Sequence, residues 1–445
     1  MGVAHRMKLA CSLLFAVSAV TAKRTTFWQW TDPHVDITNE CAGNTTKGSK
    51  YGNFDNSPTG CGCTPALIES ALDYMKDVVD TEEGAPDFIF FTGDSPWGSS
   101  PVDSETEIKA QMLKKYPDTP IYFCIGNHDV VGDMNPSGDD QKSLYSDTAE
   151  LWGDYLDEDA KASFAATGWY AQKISDTVKL VVLNTEYYDY GNDEVLVGNT
   201  YVDGYAQYEW LRGELQKSKD AGEKVYLFGH IPPGYENSYA NDPSQPEPGD
   251  LRPYMPDLFV RRFSDVTDEF ADIIAVTIHG HEHVDTFRLV GEKSHHFSVP
   301  GMTTGYPRSN PSMRLWYHDL EEGEVPDYKQ FYFDLVQSNK DETPYWQETY
   351  VFSEQYGYNN TRREALEDLL ARFAAEHADP SVSTVFAEHK IFYSGNTPVE
   401  YQPICDVWCQ VQSLCDMNYG AVVRTFGNMM STCLAWEGYK LFTPA

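Results

Sequence analysis

Between Phe27 and about Thr277, short apolar runs alternate with stretches whose apolar residues recur at helical spacing. That alternation predicts an α/β layered domain in which strands and helices exchange along the chain. The strand candidates are FWQWT (27–31), DFIFFTG (87–93), IYFCIG (121–126), KLVVLNT (179–185), KVYLFG (224–229) and DIIAVTI (272–278). Thr64 and Pro65 cap and start a helix carrying Leu67, Ile68, Ala71, Leu72, Met75 and Val79, and Gln207 to Lys219 forms another. Further strands are expected at VDTFRLV, HHFSVP, MRLWYHDL and KQFYFDLV, within residues 285–336. The Pro-, Gly-, Asn- and Asp-rich stretch 231–256 is expected to be a long functional loop.

The pattern changes after Asp341. Thr361 and Glu364 form a capping box ahead of Ala365, Leu366, Leu369, Leu370 and Phe373, and Pro380 stops that helix. A smaller helical, cysteine-bearing region is expected over 341–445, behind a catalytic domain over 23–340. Residues 1–22 join a basic start (Arg6, Lys8) to an apolar run from Leu9 to Val20 and small residues at Ala19 and Ala22, a secretory signal. No later run approaches the ~18 to 20 apolar residues of a membrane span, and the C-terminal KLFTPA is no lipid-anchor signal. The expected destination is the extracellular space, or a vacuolar or lysosomal lumen, and the expected state is a monomer.

The chain has 445 residues and a formal net charge of −35. With no cluster of Lys and Arg anywhere, it is not expected to coat nucleic acid or bind anionic membrane surfaces. Beyond the signal lie Cys41, Cys61, Cys63, Cys124, Cys405, Cys409, Cys415 and Cys433, an even set in an oxidising compartment, which favours disulfides. Spacing alone does not set their pairing; a zinc ribbon competes, although C-x3-C-x5-C without a second pair is a poor zinc template. Asn44 and Asn359 head glycosylation triplets.

Polar clusters follow the strand candidates directly: TDPHVD (31–36), GDSP (93–96), GNHD (126–129), GHIP (229–232) and GHEHVD (280–285), with Asn184-Thr-Glu after the sixth run. The carboxyl ends of sheet strands are where an open α/β fold builds its site. Asp32, His34, Asp94, Asn127, His230, His281 and His283 offer nitrogen and oxygen donors that suit Zn, Mn or Fe in a two-metal cluster. Asp94, behind a glycine that permits a sharp turn, is the candidate bridge between ions ~3.5 to 4 Å apart. With strand periodicity, Asp32 and His34 would point to one side, as would His281 and His283. His279, His295, His296, His318, His377 and His389 lie outside these clusters, where surface or core packing is the simpler reading.

The ordered set D-x-H, GD, GNHD, GH and GHxH resembles the calcineurin-like metallophosphoesterase superfamily. With CTPALIESALDYMK, FFTGDSP, VYLFGHIPPGY and the terminal cysteines, the chain is similar to the acid sphingomyelinase-like phosphodiesterases over essentially its whole mature length. The resemblance implies a four-layer αββα core, two zinc ions and a helical C-terminal region stapled by Cys405–Cys409 and Cys415–Cys433, with Cys41–Cys63 similarly suggested. It implies Asp32, His34, Asp94 and His283 at one zinc and Asp94, Asn127, His230 and His281 at the other. A bridging hydroxide would attack phosphorus, and His128, with Asp129 as its orienter, would stabilise the transition state or protonate the leaving group.

One position departs from the family: its usual histidine four residues after the Asp of GDSP is here Gly98. The short stretch before TDPHVD leaves no room for the lipid-presenting domain of the sphingomyelinase proper, which turns the expectation from sphingomyelin towards nucleotides and nucleotide-choline compounds. Trp97, Tyr187, Tyr188, Tyr190 and Tyr235 would stack a base or box a choline, or else pack loops. Purple acid phosphatase requires D-x-G and a tyrosine where His34 and Trp97 stand, and the GDxVDRG of protein Ser/Thr phosphatases is missing. A secreted pseudoenzyme that binds metal without turnover is the non-enzymatic alternative.

Overall fold

The computed structural model describes residues 25–37, 49–54, 63–96, 100–130, 139–189, 201–234, 254–304, 309–381, 383–398 and 413–418. The signal segment, Asn44, Cys41, Cys61, Cys405, Cys409, Cys433, Trp97, Gly98, Tyr190 and Tyr235 lie outside them, as does most of the stretch 231–256.

Twelve strands among these residues form two six-stranded sheets. They are β1 (Thr25–Trp30), β2 (Phe88–Phe91), β3 (Ile121–Phe123), β4 (Tyr170–Lys173), β5 (Val178–Val182), β6 (Lys224–Phe228), β7 (Ile274–His279), β8 (Thr286–Val290), β9 (Ser294–Ser298), β10 (Ser312–Asp319), β11 (Glu324–Phe333) and β12 (Trp346–Val351). The orders are β12-β11-β10-β1-β2-β3 and β4-β5-β6-β7-β9-β8. β1, β2 and β3 run parallel in the first sheet, as β5, β6 and β7 do in the second. Their carboxyl ends therefore open on common ground.

The layers follow from two-residue periodicity. In β6, Tyr226 and Phe228 enter the larger core between the sheets, whereas Val225 and Leu227 join a second core. That second core is closed by Leu211 and Leu215 of helix Tyr201–Ala221 and Phe259, Val260 and Phe263 of helix Asp257–Glu269. Strands covered on both faces read as continuous apolar runs, which is why the sequence marks them so clearly. Aromatic rings fill the space between the sheets: Phe90 of β2 stacks on Phe228 of β6 with centroids 3.6 Å apart. Phe27 packs on Phe88, Tyr226 and Phe228. On the outer face of the first sheet, Leu67, Ile68 and Leu72 of helix Pro65–Tyr74 are buried.

Thr64 caps that helix, its Oγ1 accepting from Leu67 N at 3.2 Å and donating to Lys50 O at 2.9 Å. Replacing Thr64 with Ala is expected to lower unfolding free energy by about 1–2 kcal/mol, measured by urea titration. The expected capping box at Thr361 and Glu364 does not form. Arg362 is the N-cap without a side-chain bond, and the Thr361 hydroxyl is drawn instead to the carbonyl of Val325 in β11. β4 and β12 were not foreseen, and β12 pairs with β11, so the region beyond residue 341 opens with a sheet strand before its helices Arg363–Ala378 and Val385–Tyr393.

The expected Cys41–Cys63 pairing is overturned at Cys63, which is a free, fully buried thiol. Its Sγ points to the carbonyl of Thr64, and burial pushes the thiol well above the usual range. Cys124 is likewise free and buried. Cys415 is in a disulfide whose partner lies outside the described residues. Asn359 is exposed.

Candidate metal centre

Strands β1, β2, β6 and β7 end at Trp30, Phe91, Phe228 and His279, and the loops that follow bring the polar motifs together. The D-x-H and GDS loops continue the parallel pairing of β1 and β2 without being strands. Asp32 N donates to Gly93 O at 3.0 Å, His34 N to Asp94 O at 3.1 Å and Val35 N to Ser95 O at 2.7 Å.

The convergence of the donors differs in cause from the pleat argument. Asp32, His34, Asp94, His281 and His283 all adopt positive φ, between 43° and 71°. Left-handed residues, not strand alternation, turn these side chains inward; Asp and His tolerate that conformation better than most. Gly93 has φ 90°, giving the sharp turn expected before Asp94. At Gly126 the need is space, because a Cβ there would lie 2.3 Å from Asp94 Oδ1.

Two groups of donors result. Ligand atoms of Asp32, His34, Asp94 and His283 lie within 4.8 Å of one another, as do those of Asp94, His230 and His281. Asp94 belongs to both. Asn127 Oδ1 completes the second group, 3.1 Å from His230 Nε2 and 2.8 Å from His281 Nδ1. His34 Nε2 and His283 Nε2 face each other at 3.2 Å, and His283 Nε2 is 3.1 Å from Asp32 Oδ1. His230 Nδ1 donates to the carbonyl of Thr92 at 2.6 Å, which directs Nε2 into the centre.

The electrostatics ask for a cation. Burial disfavours charge on His34 and His281 and lowers each to about 3, leaving neutral imidazoles. Burial would raise Asp94, but the His230 and His128 rings hold its carboxyl well below the usual range. At His230, burial is outweighed by Asp94 and Asp32, which push it up to about 10. Imidazole nitrogens, an amide oxygen and carboxylate oxygens converging on two largely buried points, with His230 held as a cation by the carboxylates, are a donor set that fits two divalent ions.

His128 stands at the rim, exposed, its ring 4.8 Å from that of His34 and its backbone N donating to Asp94 Oδ1 at 2.8 Å. Asp129 does not orient it. The Asp129 carboxylate is buried, with Oδ2 accepting from Asp94 N (2.7 Å) and Gly126 N (2.9 Å) and Oδ1 from Ser95 N (2.8 Å). Its three partners are main-chain amides of the two metal-site loops, so Asp129 holds the backbone, not the imidazole. Tyr187 and Tyr188 are buried: Tyr188 stacks on Tyr208 with centroids 4.5 Å apart, and Tyr187 packs edge-on to Trp169, both in the core under the helices.

Supporting residues escaped sequence reasoning because their partners are distant in the chain. Within GHEHVD, Glu282 is held by buried Arg288 and Asp285 by buried Arg314. Tyr254 sets its ring edge-on to His281, centroids 4.9 Å apart. Buried acids inside a metal motif were the available signal, since each needs a cationic partner.

Comparison with known proteins gives two consecutive matches. Residues 25–285 match the calcineurin-like phosphoesterase family, and residues 299–425 match the acid sphingomyelin phosphodiesterase C-terminal region. The acid sphingomyelinase-like phosphodiesterase 3b of Mus musculus is 28% identical over 406 residues, covering 86% of this chain and 82% of that protein. Sphingomyelinase phosphodiesterase C of Dictyostelium discoideum is 28% identical over 437 residues, covering 90% and 92%. Cyclic GMP-AMP phosphodiesterase SMPDL3A of Homo sapiens is 26% identical over 428 residues, covering 89% and 90%.

Proposed function

The chain belongs to the calcineurin-like phosphoesterase family, and from that premise we propose a secreted or lumenal di-zinc phosphodiesterase that cleaves phosphodiester or phosphoanhydride bonds of small nucleotides. The family is one of phosphoesterases, and relatives similar over most of this chain are named phosphodiesterases. The observation that carries the reading is Asp94, whose carboxylate is common to both donor groups. Among the described residues no helix is long and apolar enough to cross a membrane.

Asp32, His34, Asp94 and His283 would hold one ion, and Asp94, Asn127, His230 and His281 the other. Bound there, two divalent ions supply an activated water and polarise the phosphoryl oxygens. The chain's own part is to fix that geometry: the Thr92 carbonyl sets the His230 tautomer, and Thr31 Oγ1, donating to Asp32 Oδ2 at 2.6 Å, orients that carboxylate. His128, at the solvent-facing rim, is placed to donate a proton to the departing oxygen. Replacing His128 with Ala is expected to lower kcat on bis-p-nitrophenyl phosphate by about 10²- to 10⁴-fold with metal content unchanged.

Nucleotides rank ahead of sphingomyelin because a relative similar over most of this chain is named for a cyclic dinucleotide. A panel of ATP, ADP, CDP-choline, cyclic dinucleotides, sphingomyelin and p-nitrophenyl phosphate at pH 5 and 7.5 tests the ranking; sphingomyelin outpacing every nucleotide overturns it. Protein that holds two metal ions yet turns over none of the panel would be a binding protein.

A further inference from the structure

We propose that Asp416, in the disulfide-linked C-terminal segment, is a positioning residue for the metal centre, acting through Arg288 and Glu282; this rests on the two-metal reading above. Glu282 stands between His281 and His283, both at positive φ (71° and 58°), so the loop carrying two ligands holds a conformation that needs support from outside. That support is Arg288 of β8, which is fully buried. Its Nη1 and Nη2 donate to the two oxygens of Glu282, a paired arrangement that fixes direction as well as distance. Ser298 Oγ also donates to Glu282, as does Tyr254 Oη at 3.3 Å.

The guanidinium reaches a second ligand loop. A Cβ on Gly234 would sit 2.5 Å from Arg288 Nε, so the chain just beyond His230 lies against it. Glu282 occupies one edge of the guanidinium; the other edge, Nε with Nη2, is taken by Asp416, whose Oδ2 accepts from Nε at 2.6 Å. Asp416 is 1% exposed and follows Cys415, which is in a disulfide. A segment more than a hundred residues downstream in sequence thereby completes the support beneath His230, His281 and His283. Losing a partner bonded directly to a metal ligand typically costs about 10- to 100-fold in affinity; Asp416 acts from further out, through Arg288 and Glu282, so the low end of that range is expected.

The test uses the full chain loaded with zinc, and in parallel with cobalt(II), in wild type, Asp416→Ala, Asp416→Asn and Arg288→Lys. Zinc retention is read by competition with a chromophoric chelator, and ligand geometry by the cobalt d–d absorption. Asp416→Ala is expected to weaken zinc retention by about 10-fold and to shift the cobalt spectrum. Asp416→Asn, which keeps an acceptor for Nε, is expected to recover part of both, and Arg288→Lys to reproduce the spectral shift. If Asp416→Ala fails to fold, the other two variants carry the comparison. A lowered melting temperature with wild-type zinc retention and cobalt spectrum would show a merely structural contact and overturn the proposal. Wild-type chain that takes up no metal overturns this inference and the two-metal reading together; two ions in the wild type with indistinguishable variants overturn this inference alone.

Discussion

Replacing Asp94 with Asn is expected to abolish turnover, lowering kcat/KM on bis-p-nitrophenyl phosphate by more than the about 10³-fold that loss of a single transition-state donor costs elsewhere. Metal content should fall with it. The reason is position: Asp94 is the carboxylate shared by both donor groups, while its backbone is held by Asp129 and its Oδ1 accepts from His128 N. An amide keeps one oxygen and loses the negative charge that two ions share. Metal analysis separates the outcomes; a variant that retains two ions and more than a tenth of wild-type activity would remove Asp94 from the bridging role.

The second large effect is on stability. Asp129→Asn is expected to destabilise the fold by about 3–5 kcal/mol, measured by urea titration, because a buried carboxylate accepting three main-chain amides becomes an amide with one accepting atom. Its NH2 group would face at least one N–H of Asp94, Ser95 or Gly126, donor against donor. Activity should fall as well, since these amides set the turn that presents Asp94. If Asp129 instead served as an orienter of His128, stability would change little and the loss would match that of His128→Ala.

Much of the fold was legible because the six central strands are apolar on both faces, and runs such as KLVVLNT and KVYLFG have no other reading in an α/β pattern. β4 and β12 were missed for the opposite reason. Each is a sheet edge, and Gln172, Lys173, Gln347 and Glu348 give them the polarity of loops. The donor residues of the metal centre were all legible in short motifs at strand ends, and the structure brings the seven together. What spacing could not supply was the backbone geometry, which is left-handed where strand periodicity had been assumed. Nor could it supply the role of Asp129, adjacent to His128 in sequence but bonded to the amides of Asp94 and Ser95. The free thiol of Cys63 shows the same limit: residue counts suggest pairing, and only packing decides it.

The positive φ angles at Asp32, His34, Asp94, His281 and His283 restrict what the centre can become. At these positions the main chain filters the choice of ligand before any metal does. Asn, Asp and His enter the left-handed region at modest cost, whereas β-branched residues scarcely enter it. Attempts to retune the metal preference by exchanging ligand types therefore have a short alphabet at five sites and a freer one at Asn127 and His230, which are not among the positive-φ residues. Transplanting the constellation to another scaffold would require copying the turns first and the side chains second.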